Sequence, residues 1–299
     1  MKAAEPHSSR NQKMNQSLLA NEPVVRLAFF FGVFTLMALW ELFWPRRVRA
    51  LGRGPRWPNN IAVVVIDTIV LRLLFPTAAV GVALAAESRG LGLFNLLQWP
   101  HWLVVILGVV LLDLAIYLQH VMFHAVPAFW RLHRMHHADL DIDVTTGVRF
   151  HPIEIILSML IKFGVILMLG PPAVSVLIFE VLLNATSMFN HSNAYIPFGV
   201  DRVLRLFMVT PDMHRVHHSV EDYETNSNFG FNLPWWDRLF GTYRDQPQAG
   251  HHGMTIGLDS FRDARTCVDI RGMLMIPFKG KTEDYVINRR SHRPPDGAG

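Results

Sequence analysis

Residues 102–124 read WLVVILGVVLLDLAIYLQHVMFH, an apolar run broken by Asp113 that ends on His120 and His124. About 20 mostly apolar residues suffice to cross the hydrocarbon core of a bilayer. On a helix, positions four apart share one face. The stretch therefore predicts a membrane-spanning helix, Trp102 to Gln119, that delivers two imidazoles together at one membrane boundary.

Two further clusters follow, His133-x-x-His136-His137 and His214-x-x-His217-His218, with His191 alone between them. Spacings of three and four residues bring each cluster onto one helical face. The three clusters and His191 offer nine imidazoles. That is too many for one ordinary ion and suits two, at four or five nitrogens each. Neutral imidazole suits iron, zinc, copper or nickel and does not suit magnesium or calcium. Interfacial histidines with snorkelling rings are the plain alternative, but they give no reason for two copies of H-x-x-H-H.

The rest of the chain supports a membrane setting. It has 299 residues, 51% hydrophobic and 17% charged, with a mean hydropathy of +0.23. Val24 to Trp44 is a first span and Ile61 to Ala86 a second, the latter carrying Asp67 and Arg72. Asp67 is read as contacting another helix and Arg72 as snorkelling. Ile153 to Leu169 and Ala173 to Phe189 flank Gly170-Pro171-Pro172, which no helix can continue through, so they form a helical hairpin. The fold class is all-α: an integral membrane bundle of three spans plus a hairpin, with a histidine-rich helical cap. Residues 1–23 are expected to be a mobile polar tail, 24–278 the membrane-embedded domain, and 279–299 a flexible C-terminal tail.

Arg46, Arg47, Arg49, Arg53 and Arg56 follow the first span. Basic loops mark the cytoplasmic side. Counting spans from there places every histidine cluster on that same, cytoplasmic side of a multi-pass protein. The arginine loop is also a possible docking surface, with anchoring to anionic lipid the favoured use. A short amphipathic helix is expected over Asp201 to Met208, and Trp235-Trp236 suits an interfacial aromatic belt.

Several classes are excluded. Cys267 is the only cysteine, so the chain forms no disulfide within the monomer and no built-in iron–sulfur site. Net charge is +4, without aromatic-interleaved basic runs, which argues against nucleic acid. Glu-x-x-His is absent, which excludes a carboxylate di-iron bundle. Asp139, Asp141 and Asp143 mimic a calcium loop, but Val144 stands where glycine is needed and Phe150 where glutamate is. They are read as loop and capping groups.

Other polar residues are secondary candidates. His151 could be a tenth ligand or support one. Asp113, Tyr117, Glu180 and Asn184 lie at helical spacing from His120 or His191 and could hydrogen-bond ligand imidazoles. His251-His252 reads as solvated surface, and His7, His101 and His292 as incidental.

The histidine pattern resembles the fatty acid hydroxylase/sterol desaturase superfamily of integral membrane oxygenases. Asp113-Leu-Ala-Ile-Tyr117-Leu-Gln-His120 and Thr210-Pro-Asp-Met-His214-Arg-Val-His217-His218 are similar to its first and last motifs. Asn228-Phe-Gly230 through Trp236-Asp237-Arg-Leu-Phe-Gly241-Thr-Tyr243 is similar to the signature that follows, adding Asn228 and Asp237 to the supporting residues. The likeness covers residues 113–243. It departs at the first motif, where members often carry arginine beside the histidine and this chain has Gln119 and Val121.

The resemblance implies two iron ions held by His120, His124, His133, His136, His137, His191, His214, His217 and His218. It implies O2 as co-substrate, a membrane lipid as substrate, and hydroxylation or desaturation of an unactivated C–H bond. Electrons must come from a separate reductase or small electron carrier, since the chain carries no flavin or dinucleotide loop. Two other classes stay open from sequence: a histidine-rich membrane metal transporter, which would place ligands near the midplane, and a bis-histidine haem protein, which needs only one facing pair.

Overall fold

Prolines set where the ligand-bearing helices begin. The computed structural model describes residues 17–97, 99–282 and Ile287. In it, helix α4 (His101–Ala125) stops just before Pro127, which opens helix α5 (Pro127–His137) at its first turn. Proline has no N–H to extend α4, yet its fixed φ suits the start of a helix. The chain therefore turns sharply at Val126 and lays α5 across the end of α4. Pro152 opens helix α6 (Pro152–Leu169) in the same way, and the His151 ring accepts from the Ile153 amide as its cap.

Helices α1 (Glu22–Phe43), α2 (Arg53–Leu74) and α3 (Ala78–Ser88) precede these, with a single helical turn at Leu93–Leu96 before α4. The expected second span is not one helix. It breaks at Phe75–Thr77, because Pro76 lacks the donor a continuing helix needs and restricts the residue before it. Helix α7 (Ala173–Asn190) returns from α6 through Gly170, whose φ is +62°. A Cβ there would lie 2.4 Å from the Leu91 carbonyl oxygen, so only glycine fits the hairpin tip. Short helices α8 (Phe198–Leu204), α9 (Pro211–His217) and α10 (Trp235–Leu239) follow. Among the described residues no strand forms.

Five stretches are long and apolar enough to cross a membrane: α1, residues 53–96, α4, α6 and α7. The molecule is an all-helical integral membrane protein. Arms of 18 residues in α6 and α7 rise about 27 Å each, close to the hydrocarbon thickness. Burial identifies the centre: 56% of the α7 window is buried against 6% for α1. The exposed Leu27, Phe29, Phe31 and Leu36 of α1 face outward, as a lipid-facing helix requires. One core packs α3, α4, α6 and α7 around Leu112, Ile116, Ile166 and Phe179.

A second core lies at the histidine end. It joins Val63 of α2 and Trp130 and Met135 of α5 to Leu258, Cys267, Met273 and Ile276. Arg134 of α5 reaches this C-terminal segment and donates to the carbonyls of Ile276 (2.8 Å), Lys279 and Lys281 (2.7 Å). Of the expected C-terminal tail, residues 279–282 and Ile287 are described; the expected N-terminal tail lies outside the described residues through position 16.

The arginines after α1 are consumed internally. Arg56 is fully buried and pairs with Asp139 (2.7 Å) and Asp143. Arg46 pairs with Asp212 (2.9 Å), and Arg53 with Glu41 (3.1 Å). Asp139 and Asp143 are thus halves of a buried ion cluster that pins α2 to the loop after α5. Burial opposes ionisation of Asp139, but Arg56 and Arg149 outweigh it and hold its carboxyl down to about 2. An Arg-rich docking surface is not what this loop presents: Arg46, Arg47, Arg49 and Arg53 are half-buried and Arg56 is buried.

Candidate metal centre

Nine imidazoles from four segments meet at one end of the bundle. His120 and His124 come from the last turns of α4, and His133, His136 and His137 from α5 crossing above them. His191 caps the end of α7, and His214, His217 and His218 come from α9 and its C-cap. Thr210 caps α9 by accepting from the Met213 amide. All nine rings are at most 4% exposed.

They sort into two groups. His120, His124, His133, His137 and His217 form one, and His136, His191, His214 and His218 the other; within each, one nitrogen per ring lies within 4.8 Å of the others. Several Nε2 atoms nearly touch: His120–His133 at 3.1 Å, His124–His137 at 3.2 Å, His136–His191 at 3.1 Å and His191–His214 at 3.0 Å.

The opposite ring nitrogens decide what those contacts are. His120 Nδ1 faces the Phe229 carbonyl (2.8 Å), His217 Nδ1 that of Ser227 (2.7 Å), His191 Nδ1 that of Ser187 (2.6 Å) and His136 Nδ1 that of Arg149 (3.2 Å). A carbonyl only accepts, so each of these Nδ1 atoms carries the proton. His133 Nδ1 meets Glu154 Oε1 at 2.7 Å, and His124 Nδ1 meets Asn226 Oδ1 at 3.2 Å. The Nε2 atoms of the four carbonyl-bonded rings are then lone pairs. In the pair His136–His191, two lone pairs face each other in a dry interior.

That arrangement is repulsive unless a cation lies between them. Two nitrogens each about 2.1 Å from one ion, at about a right angle, sit about 3.0 Å apart. The spacing, the buried unpartnered Nε2 of His217 and His218 and the neutral tautomers all fit a transition-metal ion in each group. Burial keeps the rings neutral: it pushes His133 down to about 3 and His191 down to about 4. His136, His137, His214, His217 and His218 are also held well below the usual range, first by burial and then by neighbouring imidazoles.

The remaining sequence candidates hold the frame and not the rings. Asp113 accepts from the Trp236 indole (2.8 Å), the Asn232 side chain (2.8 Å) and two backbone amides, pinning residues 232–236 to α4. Trp236 is thus turned inward, away from an aromatic belt, while Trp235 is exposed. Glu180 pairs with Lys162 (2.7 Å) and Arg26, and Asn184 donates to the Glu180 carbonyl. His151 points to the Leu274 carbonyl (3.3 Å) and the cap of α6. The hydrogen bonds of these residues go to groups other than the nine imidazoles: Asp113 faces residues 232–236, Glu180 faces α1 and α6, and Asn184 bonds within its own helix.

Asn228 and Asp237 act one step removed. Asp237 accepts from the Phe229 and Gly230 amides (both 2.8 Å) and from Thr242 (2.7 Å), which in turn meets Tyr117 Oη at 2.9 Å. Burial pushes its carboxyl up to about 6. Asn228, at φ +53°, donates to the Met213 and Arg244 carbonyls. Together they shape the loop that offers Ser227 and Phe229 carbonyls to His217 and His120. Gly147 serves His191 similarly: a Cβ there would fall 2.4 Å from the Ser187 oxygen.

Sequence reasoning passed over Glu154 and Asn226. Glu154 is the one carboxylate in an apolar hairpin arm, a signal as strong as the one that singled out Glu180. It also read His251 as solvated, whereas His251 is buried between Asp212 and Arg215.

Residues 105–242, which contain all nine histidines, match the family model for fatty acid hydroxylase. The chain is 32% identical over 267 residues to the ornithine lipid hydroxylase OlsE of Rhizobium tropici, covering 87% of this chain and 78% of that protein. It is 30% identical over 173 residues to the alkylglycerol monooxygenase of Homo sapiens, 56% of this chain and 37% of that one. It is 28% identical over 191 residues to a very-long-chain aldehyde decarbonylase of Oryza sativa subsp. indica, 60% of this chain and 70% of that one. No solved structure matches the chain.

Proposed function

Because the chain belongs to the fatty acid hydroxylase family and is an oxidoreductase acting on lipid, we propose that it is a di-iron, O2-dependent hydroxylase of an unactivated C–H bond in a membrane lipid. The observation that carries this reading is two adjacent groups of buried imidazole nitrogens, with His136 and His191 facing lone pair to lone pair. His120, His124, His133, His137 and His217 would hold one iron, and His136, His191, His214 and His218 the other. When bound, the iron pair supplies O2 activation and C–H cleavage, chemistry no side chain provides.

The balance is R–H + O2 + 2 electrons + 2 protons giving R–OH + H2O. Both electrons come from outside, from a reductase or a small electron carrier. The chain's own work is placement. Carbonyls of Phe229, Arg149, Ser187 and Ser227 fix the tautomer and aim of His120, His136, His191 and His217, and Glu154 holds the His133 ring. Trp130, Phe150 and Phe229 pack against the imidazoles and exclude water, with Phe150 stacked 4.4 Å from His136. The histidine end faces the cytoplasm in this reading, as the basic loop after α1 suggests. Hydroxylation is favoured over desaturation because relatives named for lipid chemistry include a hydroxylase and a monooxygenase.

Metal analysis with lipid profiling tests the proposal. About two irons per chain and an oxygenated lipid that disappears in the His136→Ala variant are expected. Stoichiometric zinc with no lipid change would refute it, and a haem Soret band would point to the bis-histidine alternative.

A further inference from the structure

Two short helices beside the metal centre are inside out. Helix α8 and the turn after it bury Asp201 and Arg205, 1% and 3% exposed and paired with each other, and leave Phe198, Val203 and Phe207 in the open, the last 63% exposed. Helix α10 repeats the pattern: Asp237 is fully buried, while Trp235, Phe240 and Leu239 are exposed, Leu239 at 70%. A surface helix in water turns its charges out and its apolar stripe in; both of these do the reverse. They form one face, because the Trp235 indole donates to the Leu206 carbonyl (2.7 Å) and Arg238 to that of Arg205 (3.2 Å).

Both edges of this face join spanning helices. At one edge, residues 193–195, just before α8, are stitched to the end of α1. The Arg46 amide donates to the Asn193 carbonyl (2.7 Å), the Tyr195 amide to that of Trp44 (2.8 Å) and the Trp40 indole to that of Tyr195 (3.2 Å). The exposed Leu39, Leu42 and Phe43 belong to that same end of α1. At the other edge, Asp113 takes the Asn232 and Leu233 amides and the Trp236 indole. Asp113 is the midpoint of α4 (His101–Ala125), about 10 Å from His120 by helical rise. Residues 232–236 are therefore held at a level inside the span and not above it. The backbone allows that depth: the amides of Asp201, Leu206, Phe207, Val209 and Phe240 all have carbonyl partners, as hydrocarbon requires. The exposed cations Arg202 and Arg238 lie over the rings of Phe198 (5.6 Å) and Tyr243 (3.9 Å), stems along apolar surface in the manner of snorkelling side chains.

We propose that α8 and α10 form a re-entrant membrane face, sunk into the acyl layer of the leaflet at the histidine end. The occupant of the face is lipid hydrocarbon, because anything that covers it must reach down to the level of Asp113, within the bilayer, and must continue the lipid-facing side of α1. An apolar face of this kind settles about 5–10 Å into the boundary between headgroups and acyl chains. The histidine end is then seated in the membrane by these helices as well as by the spans. The inference stands apart from the oxygenase reading; joined to it, the metal centre lies next to the leaflet in which a lipid substrate resides.

Spin labels test it on full-length protein in phospholipid nanodiscs. Phe207→Cys and Leu239→Cys are compared with Leu36→Cys, on the outward side of α1, and with Arg265→Cys, exposed in the C-terminal segment. Cys267 is fully buried and stays, with label-treated wild type as the blank. Collision with O2, which concentrates in hydrocarbon, and with a water-soluble nickel chelate is read by EPR. The O2-to-nickel ratio at positions 207 and 239 should match that at 36 and exceed that at 265 several-fold. A ratio like that at 265 overturns the inference, since the face is then in water. Low collision with both reagents also overturns it and assigns the face to a protein contact, with a second copy of this chain or another partner. Val203→Cys and Phe240→Cys take the same measurement if either first variant does not fold. No readout depends on metal or turnover, so failure of the oxygenase reading leaves the membrane face standing, and water-exposed labels on an active enzyme remove the face alone.

Discussion

Glu154 Oε1 lies 2.7 Å from His133 Nδ1 while His133 Nε2 faces His120 Nε2 at 3.1 Å. The carboxylate is therefore joined, through one ring, to a proposed metal ion. Such a partner fixes the tautomer and raises the basicity of the ligand. Glu154→Ala should cut metal affinity about 10–100-fold, and Glu154→Gln less, because an amide oxygen still accepts. Competition with a chelator, read by metal analysis, checks both; unchanged retention in Glu154→Ala would remove Glu154 from the centre.

His136→Ala should abolish product while the protein stays in the membrane. His136 meets His191 at 3.1 Å through nitrogen and contributes to one group alone. Metal content per chain should fall towards half, and full activity would exclude His136 as a ligand.

Arg56→Met should destabilise the fold by about 3–5 kcal/mol, since it takes the close cation from Asp143 and leaves Asp139 only Arg149 at 3.6 Å. The triple change Arg56→Met, Asp139→Asn, Asp143→Asn should recover part of that loss. Thermal unfolding in detergent measures it, and a Tm equal to wild type for the single variant would contradict the buried pairing.

Metal removal should make stability depend on acid. Burial holds His133 down to about 3 and His191 down to about 4, against about 6.5 for free imidazole. As pH falls below about 6.5 the unfolded chain binds these protons first, so the unfolded state gains and the fold loses. The metal-free fold is at full stability above that pH and weakens progressively down to about 4 and then 3. Chelator-treated protein should therefore melt lower at about pH 5 than at about pH 7.5; equal Tm values would exclude buried neutral rings.

Asp237→Ala should lower metal retention without touching a ligand. It frees the Phe229 and Gly230 amides and the Thr242 hydroxyl, leaving buried donors unsatisfied at about 1–3 kcal/mol. The Phe229 carbonyl then loses its fixed aim at His120. Metal retention and Tm should fall together, and Thr242→Val should give a smaller shift in the same direction.

The bundle and the nine imidazoles are legible in the sequence because both follow from periodicity. Apolar length gives the spans, and spacings of three and four give converging rings. The supports were harder to read. Four of the Nδ1 acceptors are main-chain carbonyls of Arg149, Ser187, Ser227 and Phe229, and a carbonyl carries no residue identity. Asp113 and Glu180 lie at the right helical spacing yet bond the 232–236 segment and two cations, since spacing places a residue on a face without saying what packs there. The break at Pro76 is visible in the sequence, but a long apolar run on both sides masked it. Arg56 read as a charge at the membrane surface because its partners Asp139 and Asp143 lie more than 80 residues away.

The grip of Arg134 on the carbonyls of Ile276 and Lys281 has a bearing on assembly. The helix carrying three of the nine imidazoles emerges from the ribosome well before the segment that clamps it, 142 residues further on. Until that clamp is synthesised, the imidazoles of α5 sit on an unanchored helix, and the carbonyls that orient His120 and His217 have only just been made. If the imidazoles hold ions as proposed, capture would follow synthesis of that clamp, and a nascent protein stalled before residue 276 would reach the membrane without it.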